Sequence, residues 1–298
     1  MESSQKNGII FVSLSYILWG FLPIYWKLVD QVPAGEILAH RIIWSFLFMA
    51  IIVTVTWHWR GFIKECRSII SDRRKLLGIS SAALIVSLNW MTFIWAVNNG
   101  HVIQASLGYY INPLVSILLG IIFLKETLTR RQLVSVMLAA IGVINLTISY
   151  GVFPWISLTL AITFALYGLL KKTVDIPAMF GLTIETLIVT PLALLYLAFL
   201  PVQAFDFGSF FSSTNLLLMG AGVATAVPLL LFASGTKTIP LAMVGFLQYI
   251  APTLMLFLGV FLYHEPFSSA HAISFACIWA ALILYLASVR KPRKQPAH

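Results

Sequence analysis

Ten apolar stretches, each long enough to cross a bilayer, leave this chain little choice of fold class. They run over 8–26, 35–57, 76–97, 102–124, 130–149, 153–171, 178–200, 212–233, 240–263 and 268–288. Each is near the roughly 20 residues that cross about 30 Å of hydrocarbon at about 1.5 Å per residue. With 60% hydrophobic and only 10% charged residues among 298, the chain lacks the polar surface that a soluble protein of this size needs. The first run, Gly8 to Trp26, is too long for a signal-peptide core and has no small-residue cleavage site close behind it, so it reads as a span. The expectation is an all-α integral membrane protein with ten transmembrane helices.

The spans fall into two groups of five. Aligning 104–128 with 243–267, a spacing of 139, pairs Tyr110 with Tyr249, Ile111 with Ile250 and Pro113 with Pro252. Leu119 with Leu258, Gly120 with Gly259 and Glu126 with Glu265 follow in register. Two units, 1–149 and 150–298, are therefore expected, the second ending in a basic tail. An odd number of spans per unit turns the second copy upside down, the inverted duplication from which many secondary transporters are built around a central cavity. The function this predicts is transport of a small-molecule solute across the lipid bilayer.

The net charge of +9 is a matter of topology and does not point to nucleic acid. With an inside amino terminus, all nineteen basic residues except Lys27 and Arg41 fall on the inner side, including Arg60, Lys64, Arg67, Arg73, Arg74 and Lys75 in one connection and Lys171, Lys172 and Lys237 in others. This is the positive-inside rule, and it predicts that both termini are cytoplasmic. Cys66 and Cys277 supply neither a disulfide framework nor metal-ligand spacing, so no metal, redox chemistry or cofactor is expected.

The longest connections are the basic segment from His58 to Lys75 and the loop 201–211, too short for an appended catalytic domain. Trp26, Trp57, Trp59, Trp95 and Trp155 lie near span ends and read as headgroup anchors. Thr129 and Gln132 form a capping box beside Glu126, and Glu265 with Ser268 makes a similar corner. Ala272, Ala276 and Ala280 recur every four residues, as do Ser135 and Ala139. Both stripes are assigned to helix packing, with a homodimer contact as the alternative.

Candidate site residues cluster around two prolines. A proline inside a helix leaves the carbonyl four residues earlier underused, so Pro113 and Pro252 free the carbonyls of Tyr109 and Gln248 near mid-membrane. Gly108, Asn112 and Ser116 share one face there, and Gly245, Gln248 and Met255 the other. These faces read as the wall of a solute cavity; the alternative is that the prolines only bend helices to fit their neighbours. Arg41 and Glu185 are ionisable groups within spans, costing roughly 2.5–3.5 kcal/mol each on insertion scales, so both need partners or water. Aligning Pro33 with Pro177 places them at one repeat position, at related depths from opposite faces. Glu185 is expected to pair with Arg41, to bind a cationic group or to take up a coupling proton; a static ion pair is the alternative. Glu185→Gln is accordingly expected to abolish or uncouple flux while leaving folded protein in the membrane. His40 reads as a hydrogen-bonded core residue and His271 is a weaker candidate still. Trp19, Trp44, Trp90, Tyr167 and Tyr110 lie away from span ends, and an aromatic wall suits flat or amphipathic solutes. Trp19, Trp90, Tyr110 and its repeat partner Tyr249 are placed at the site, with Asn89, Gln104 and Asn112 as uncharged groups that grade specificity.

The segments EILAHRIIWS at 36–45, NWMTFIWAVNN at 89–99, QASLGYYINPL at 104–114, IETL at 184–187 and GFLQYIAPTLM at 245–255 resemble the RarD family of EamA-type permeases, in the drug/metabolite transporter superfamily. The resemblance covers nearly the whole chain. It implies two inverted five-helix bundles around a central cavity, alternating exposure to the two sides, a bacterial inner membrane and export of small metabolites or drugs. The family's label links it to chloramphenicol, a phenotype more than a transported molecule. The driving partner, a proton or an exchanged solute, is left open.

Two other classes compete. An intramembrane enzyme is disfavoured because no aspartate lies inside a span, no GxGD or GxSG motif occurs and the histidines lack metal spacing. A receptor or scaffold remains as the alternative, and would give no saturable flux.

Overall fold

With no water at mid-bilayer, each spanning segment must satisfy its backbone hydrogen bonds internally, which makes it a helix. The computed structural model describes residues 2–98, 101–151, 155–206, 208–262 and 268–289. Among them, ten helical segments have the length and apolarity of membrane spans, and no strand occurs. The spans are α1 (Glu2–Lys27), α2 (Ala34–Val55), α4 (Arg73–Asn98), α5 (Val102–Leu124), α6 (Arg130–Tyr150), α7 (Trp155–Thr173), α8 (Ala178–Phe199) and α9 (Ser213–Thr236), then a broken ninth, and α12 (Ser269–Val289). The ninth consists of α10 (Leu241–Gln248), α11 (Ile250–Phe257) and a π-helical turn, Leu258–Leu262. Pro252 sits in the first turn of α11, where its missing N–H has no intrahelical role, and the chain breaks just before that turn at Tyr249. α5 continues through Pro113 without a break, so the two prolines act differently.

The basic segment after α2 holds a helix too polar on average to read as a span, α3 (Trp59–Ser71). Phe62 and Ile69 bury one side of it, Phe62 meeting Phe180 of α8 at 5.9 Å between ring centres, while Arg60, Lys64 and Arg67 stay exposed.

The surface is apolar and the interior carries the polar groups. Ile51, Leu84, Ile122, Ile141 and Ile283 are exposed, whereas Ser15, Ser45, Asn89, Asn112, Ser116, Thr225 and Ser274 are buried. Buried hydroxyls often return their proton to the carbonyl four residues earlier, as Thr186 does to Leu182 at 2.9 Å and Thr190 to Thr186 at 2.7 Å. Without a strong hydrophobic drive between helices in lipid, close backbone approach and such polar contacts hold the bundle. At Gly222 of α9 an added Cβ would lie 2.4 Å from the Trp44 carbonyl carbon of α2, and the Gly222 carbonyl accepts the Ser45 hydroxyl at 2.9 Å. At Gly245 of α10 it would lie 2.7 Å from the Pro113 carbonyl oxygen of α5.

The packing order is regular. α1 lies against α9 and the α10–α11 span, and α7 against α4 and α5; α2 packs on α8 and α9, and α6 on α12. Asn145 of α6 donates to the Ala270 carbonyl at 3.2 Å and to Ser274 Oγ at 3.0 Å. The buried face of α12 carries Ser274, Phe275, Ile278 and Ala281, so Ala272, Ala276 and Ala280 point outward and the packing role expected for them is corrected; Ser135 and Ala139 are buried. The capping box at α6 is formed as expected, with Gln132 N–H donating to Thr129 Oγ1 at 3.3 Å and Thr129 N–H to Gln132 Oε1 at 2.8 Å.

Candidate functional site

A void of about 1060 Å³, its solvent-open part included, lies among α1, α2, α4, α5, α7, α9, α10 and α11. Its walls are the second half of α1 (Tyr16 to Trp26), the first turns of α2 at Arg41, the end of α4 (Asn89, Trp90, Phe93) and the beginnings of α5 and α7. Those positions all lie toward the face opposite the start of α1 and the end of α12, so the cavity occupies that half of the bundle.

Arg41 is held by three groups. Its Nε donates to Thr225 Oγ1 at 2.9 Å, and its Cζ lies 4.7 Å from the Trp26 ring centre and 4.9 Å from that of Trp90. Thr225 in turn donates to the Ala221 carbonyl at 2.8 Å, which fixes its oxygen as the acceptor for Arg41. The Gly222–Ser45 approach of α9 to α2, one turn away, sets this contact. Asn89 Nδ2 donates to the Leu160 carbonyl at 2.9 Å and to Thr163 Oγ1 at 2.8 Å. Asn112 Nδ2 donates to the Ala161 carbonyl at 2.9 Å, and Gln248 Oε1 accepts from Tyr16 at 3.5 Å. Trp19 stands among Tyr16, Phe164 and Phe232 at 5.4–5.6 Å between ring centres.

Deeper in the bundle the cavity gives way to buried rings, Tyr16 of its wall meeting Phe232, and Phe232 stacking on Tyr167 at 6.1 Å. Beyond these rings lies Glu185. Its Oε1 accepts from Lys171 Nζ at 2.7 Å and its Oε2 from Tyr167 Oη at 3.2 Å, with both charged side chains buried. At the face itself, Lys172 Nζ donates to the carbonyls of Thr236 (3.2 Å) and Ile239 (2.5 Å), and Lys237 Nζ to those of Val174 and Ile176. Partial burial lowers the Lys237 ammonium from its usual range. Glu126 accepts the first N–H groups of α10, Leu241 at 2.6 Å and Ala242 at 2.9 Å, a carboxylate at a helix N-terminus.

Of the residues expected at the site, Arg41, Asn89, Trp19, Trp90, Asn112, Gln248 and Pro252 line the cavity. Tyr110 and Tyr249 are buried outside its lining, their contact being Tyr249 Oη to the Tyr110 carbonyl at 3.4 Å. Pro113 packs against α10 through its carbonyl. Glu185 is outside the lining too, and the expected Arg41–Glu185 pair is not formed: each lies toward its own face and has local partners. His40 is buried, stacked on Phe205 at 5.0 Å, and its Nε2 makes no hydrogen bond. The side chains of Gln104 and Glu265 lie outside the described residues. Sequence reading missed Tyr16, Phe93, Phe164, Thr225 and Leu229, named Tyr109 only for its carbonyl, gave Trp26 only a headgroup role, and placed Lys171 on the inner side without showing that it is buried. The one available signal for Lys171 is its spacing of one helical turn from Tyr167.

A ten-span bundle around a half-membrane cavity defines a permease-type membrane protein. The EamA-like transporter family profile matches residues 6–148. The chain is 51% identical over all of its length to the uncharacterised transporter YojE of Bacillus subtilis, covering 99% of that protein. It is 42% identical over 96% of its length to the RarD protein of Salmonella typhi, covering 97% of it. A crystal structure of a protein only 17% identical shares the fold with a TM-score of 0.74, over 97% of this chain and 100% of that one. The chain belongs to the RarD family of EamA-type permeases.

Proposed function

We propose that this chain exports a small organic solute by alternating access, the solute passing from a site around Lys171 and Glu185 to the cavity around Arg41. The observation that carries the reading is a cavity lined from one half of the bundle, with three packed rings and a buried ion pair on its other side. A receptor or scaffold has no need of a lined cavity that holds an arginine at mid-bundle.

The alternation rests on the inverted duplication. Several features support it: α2 and α8 start after Pro33 and Pro177 with near-identical backbone angles (−54°, 134° and −53°, 136°). The repeat partners Tyr110 and Tyr249 touch. The contacts of α1 with the eighth and ninth spans mirror those of α7 with the third and fourth. In an inverted pair, Arg41 in the cavity wall and Glu185 beyond the rings exchange environments when the molecule turns over. We place the protein in a bacterial inner membrane with both termini cytoplasmic, so the cavity opens outward.

The test is flux. Media from cells with and without the protein are compared for metabolites, and the solutes that differ are loaded into proteoliposomes holding the full chain. Saturable, protein-dependent release is expected; no saturable movement of any of them overturns the reading in favour of a scaffold. Repeating the release with and without an imposed pH gradient separates proton coupling from exchange.

A further inference from the structure

We infer that the cavity selects organic monoanions, and that Arg41 reads the solute's carboxylate. This rests on the transport reading and adds the substrate's charge to it.

Arg41 and Glu185 together would make a site of balanced charge, but they do not share a site. Glu185 is cancelled by Lys171 beyond the buried rings. Among the described residues lining the cavity, Arg41 is the one with a full charge, and none carries a carboxylate. Its Nε is committed to Thr225, and the indoles of Trp26 and Trp90 flank its plane by cation–π contact. The two terminal nitrogens make no hydrogen bond to the described residues, and the residue borders the void. A guanidinium with its plane flanked and its outer edge free matches the two oxygens of a carboxylate as a fork. A dianion would bring a second charge that no second lining cation meets. The rest of the wall, Trp19, Phe93, Phe164, Leu229 and Met255, suits an apolar or aromatic body. The solute class is thus an amphipathic monocarboxylate.

The test uses full-length protein in detergent micelles and three probes of one shape: phenylacetate, its neutral amide phenylacetamide, and the cation phenethylamine. Calorimetric titration is expected to show saturable binding of phenylacetate, with the amide weaker by roughly 10- to 100-fold, the usual loss when a charge-assisted hydrogen bond goes. The amine is expected to be weakest. Arg41→Gln should bring the acid down to the level of the amide, and Arg41→Lys, which keeps the charge without the planar fork, should fall between. Should Arg41→Gln not fold, Thr225→Val, which removes the acceptor that aims the guanidinium, should weaken the acid and leave the amide unchanged. Equal affinity for acid and amide, unchanged binding of the acid by Arg41→Gln, or no saturable binding of the acid overturns the inference. Acid binding without flux of any solute in proteoliposomes removes the transport reading and leaves the anion site. Saturable flux of neutral or cationic solutes that ignores Arg41→Gln does the reverse.

Discussion

Lys171 and Glu185 are buried as a pair, Nζ to Oε1 at 2.7 Å, and the Tyr167 hydroxyl donates a hydrogen bond to the second carboxylate oxygen at 3.2 Å. Removing one member leaves an uncompensated buried charge, at about 3–5 kcal/mol, whereas replacing both with apolar groups of similar size is often close to neutral. Glu185→Gln and Lys171→Met should each lower the thermal midpoint in detergent, and the double variant Glu185→Leu with Lys171→Met should recover most of the loss. If the double variant folds and still transports, the pair is a strut; if it folds and no longer moves solute, the pair belongs to the cycle. This separation is needed because Glu185→Gln alone, read from sequence as a clean test of flux, also strands Lys171. Lys171 was illegible as a buried residue because a lysine in the last turn of a span looks like any inner-face cation, and its partner Glu185 comes from another helix, α8. Trp26 was misread for a related reason: a span-end indole suits the headgroup layer, and only the placement of Arg41 draws it inward. Thr225 lies 184 residues from Arg41, and no local pattern marks one threonine in a span as its acceptor. At Cys66, burial and the neighbouring Glu65 push the thiol above its usual value. Because the thiolate is the reactive form, maleimide labelling of Cys66 should be slow at neutral pH and rise with a midpoint above that of a free cysteine. Glu65→Gln should lower that midpoint.

At the scale of elements, the spans were legible because length and apolarity in a bilayer leave one backbone solution. α3 was not: thirteen residues rich in arginine and lysine read as a basic loop until Phe62 and Ile69 find α8 and α4 to cover them. The crossing of α2 and α9 is where element packing reaches the site. Gly222 admits the Trp44 backbone so closely that a methyl group has no room. Gly222→Ala should push the helices apart and destabilise the fold by about 1–3 kcal/mol, the range for overpacking. It should also loosen Arg41 from Thr225, so affinity for phenylacetate should fall along with the thermal midpoint; loss of stability with unchanged affinity would disconnect the crossing from the site. The break in the ninth span offers a second lever. Pro252→Ala restores an N–H able to bond the Gln248 carbonyl, which should join α10 to α11, raise stability and slow flux. Faster flux, or an unchanged rate, would show that the break is only a fit to neighbouring helices.

For the molecule as a whole, alternating access requires the closed face to open and the open face to close, and under an inverted duplication the contacts that do this come in related pairs. On the closed face, Glu126 holds the first N–H groups of α10, a carboxylate where the helix dipole favours one. Its partner by the spacing of 139 is Glu265, and the same spacing carries Leu241 and Ala242 to Val102 and Ile103. The proposed inverted duplication therefore predicts that in the opposite state of the proposed cycle Glu265 caps α5 as Glu126 caps α10 here. Glu126→Gln should weaken closure on the face with the chain ends and shift the population toward opening there; Glu265→Gln should shift it the other way. A coupling of about 1.4 kcal/mol corresponds to a tenfold change in the ratio of states, large enough to read as labelling rates. The reporters are single cysteines placed in a background without Cys66 and Cys277, one at Leu229 in the cavity wall and one at Ala233 beyond the rings, each treated with a membrane-impermeant maleimide from one side at a time. Glu126→Gln should slow the cavity reporter and speed the lower one, Glu265→Gln should do the converse, and the double variant should return toward the parent ratio. Shifts of the same sign from both glutamines would mean that the two carboxylates do not act as an inverted pair, and the symmetry behind the cycle would have to be given up even with the ten-helix fold intact.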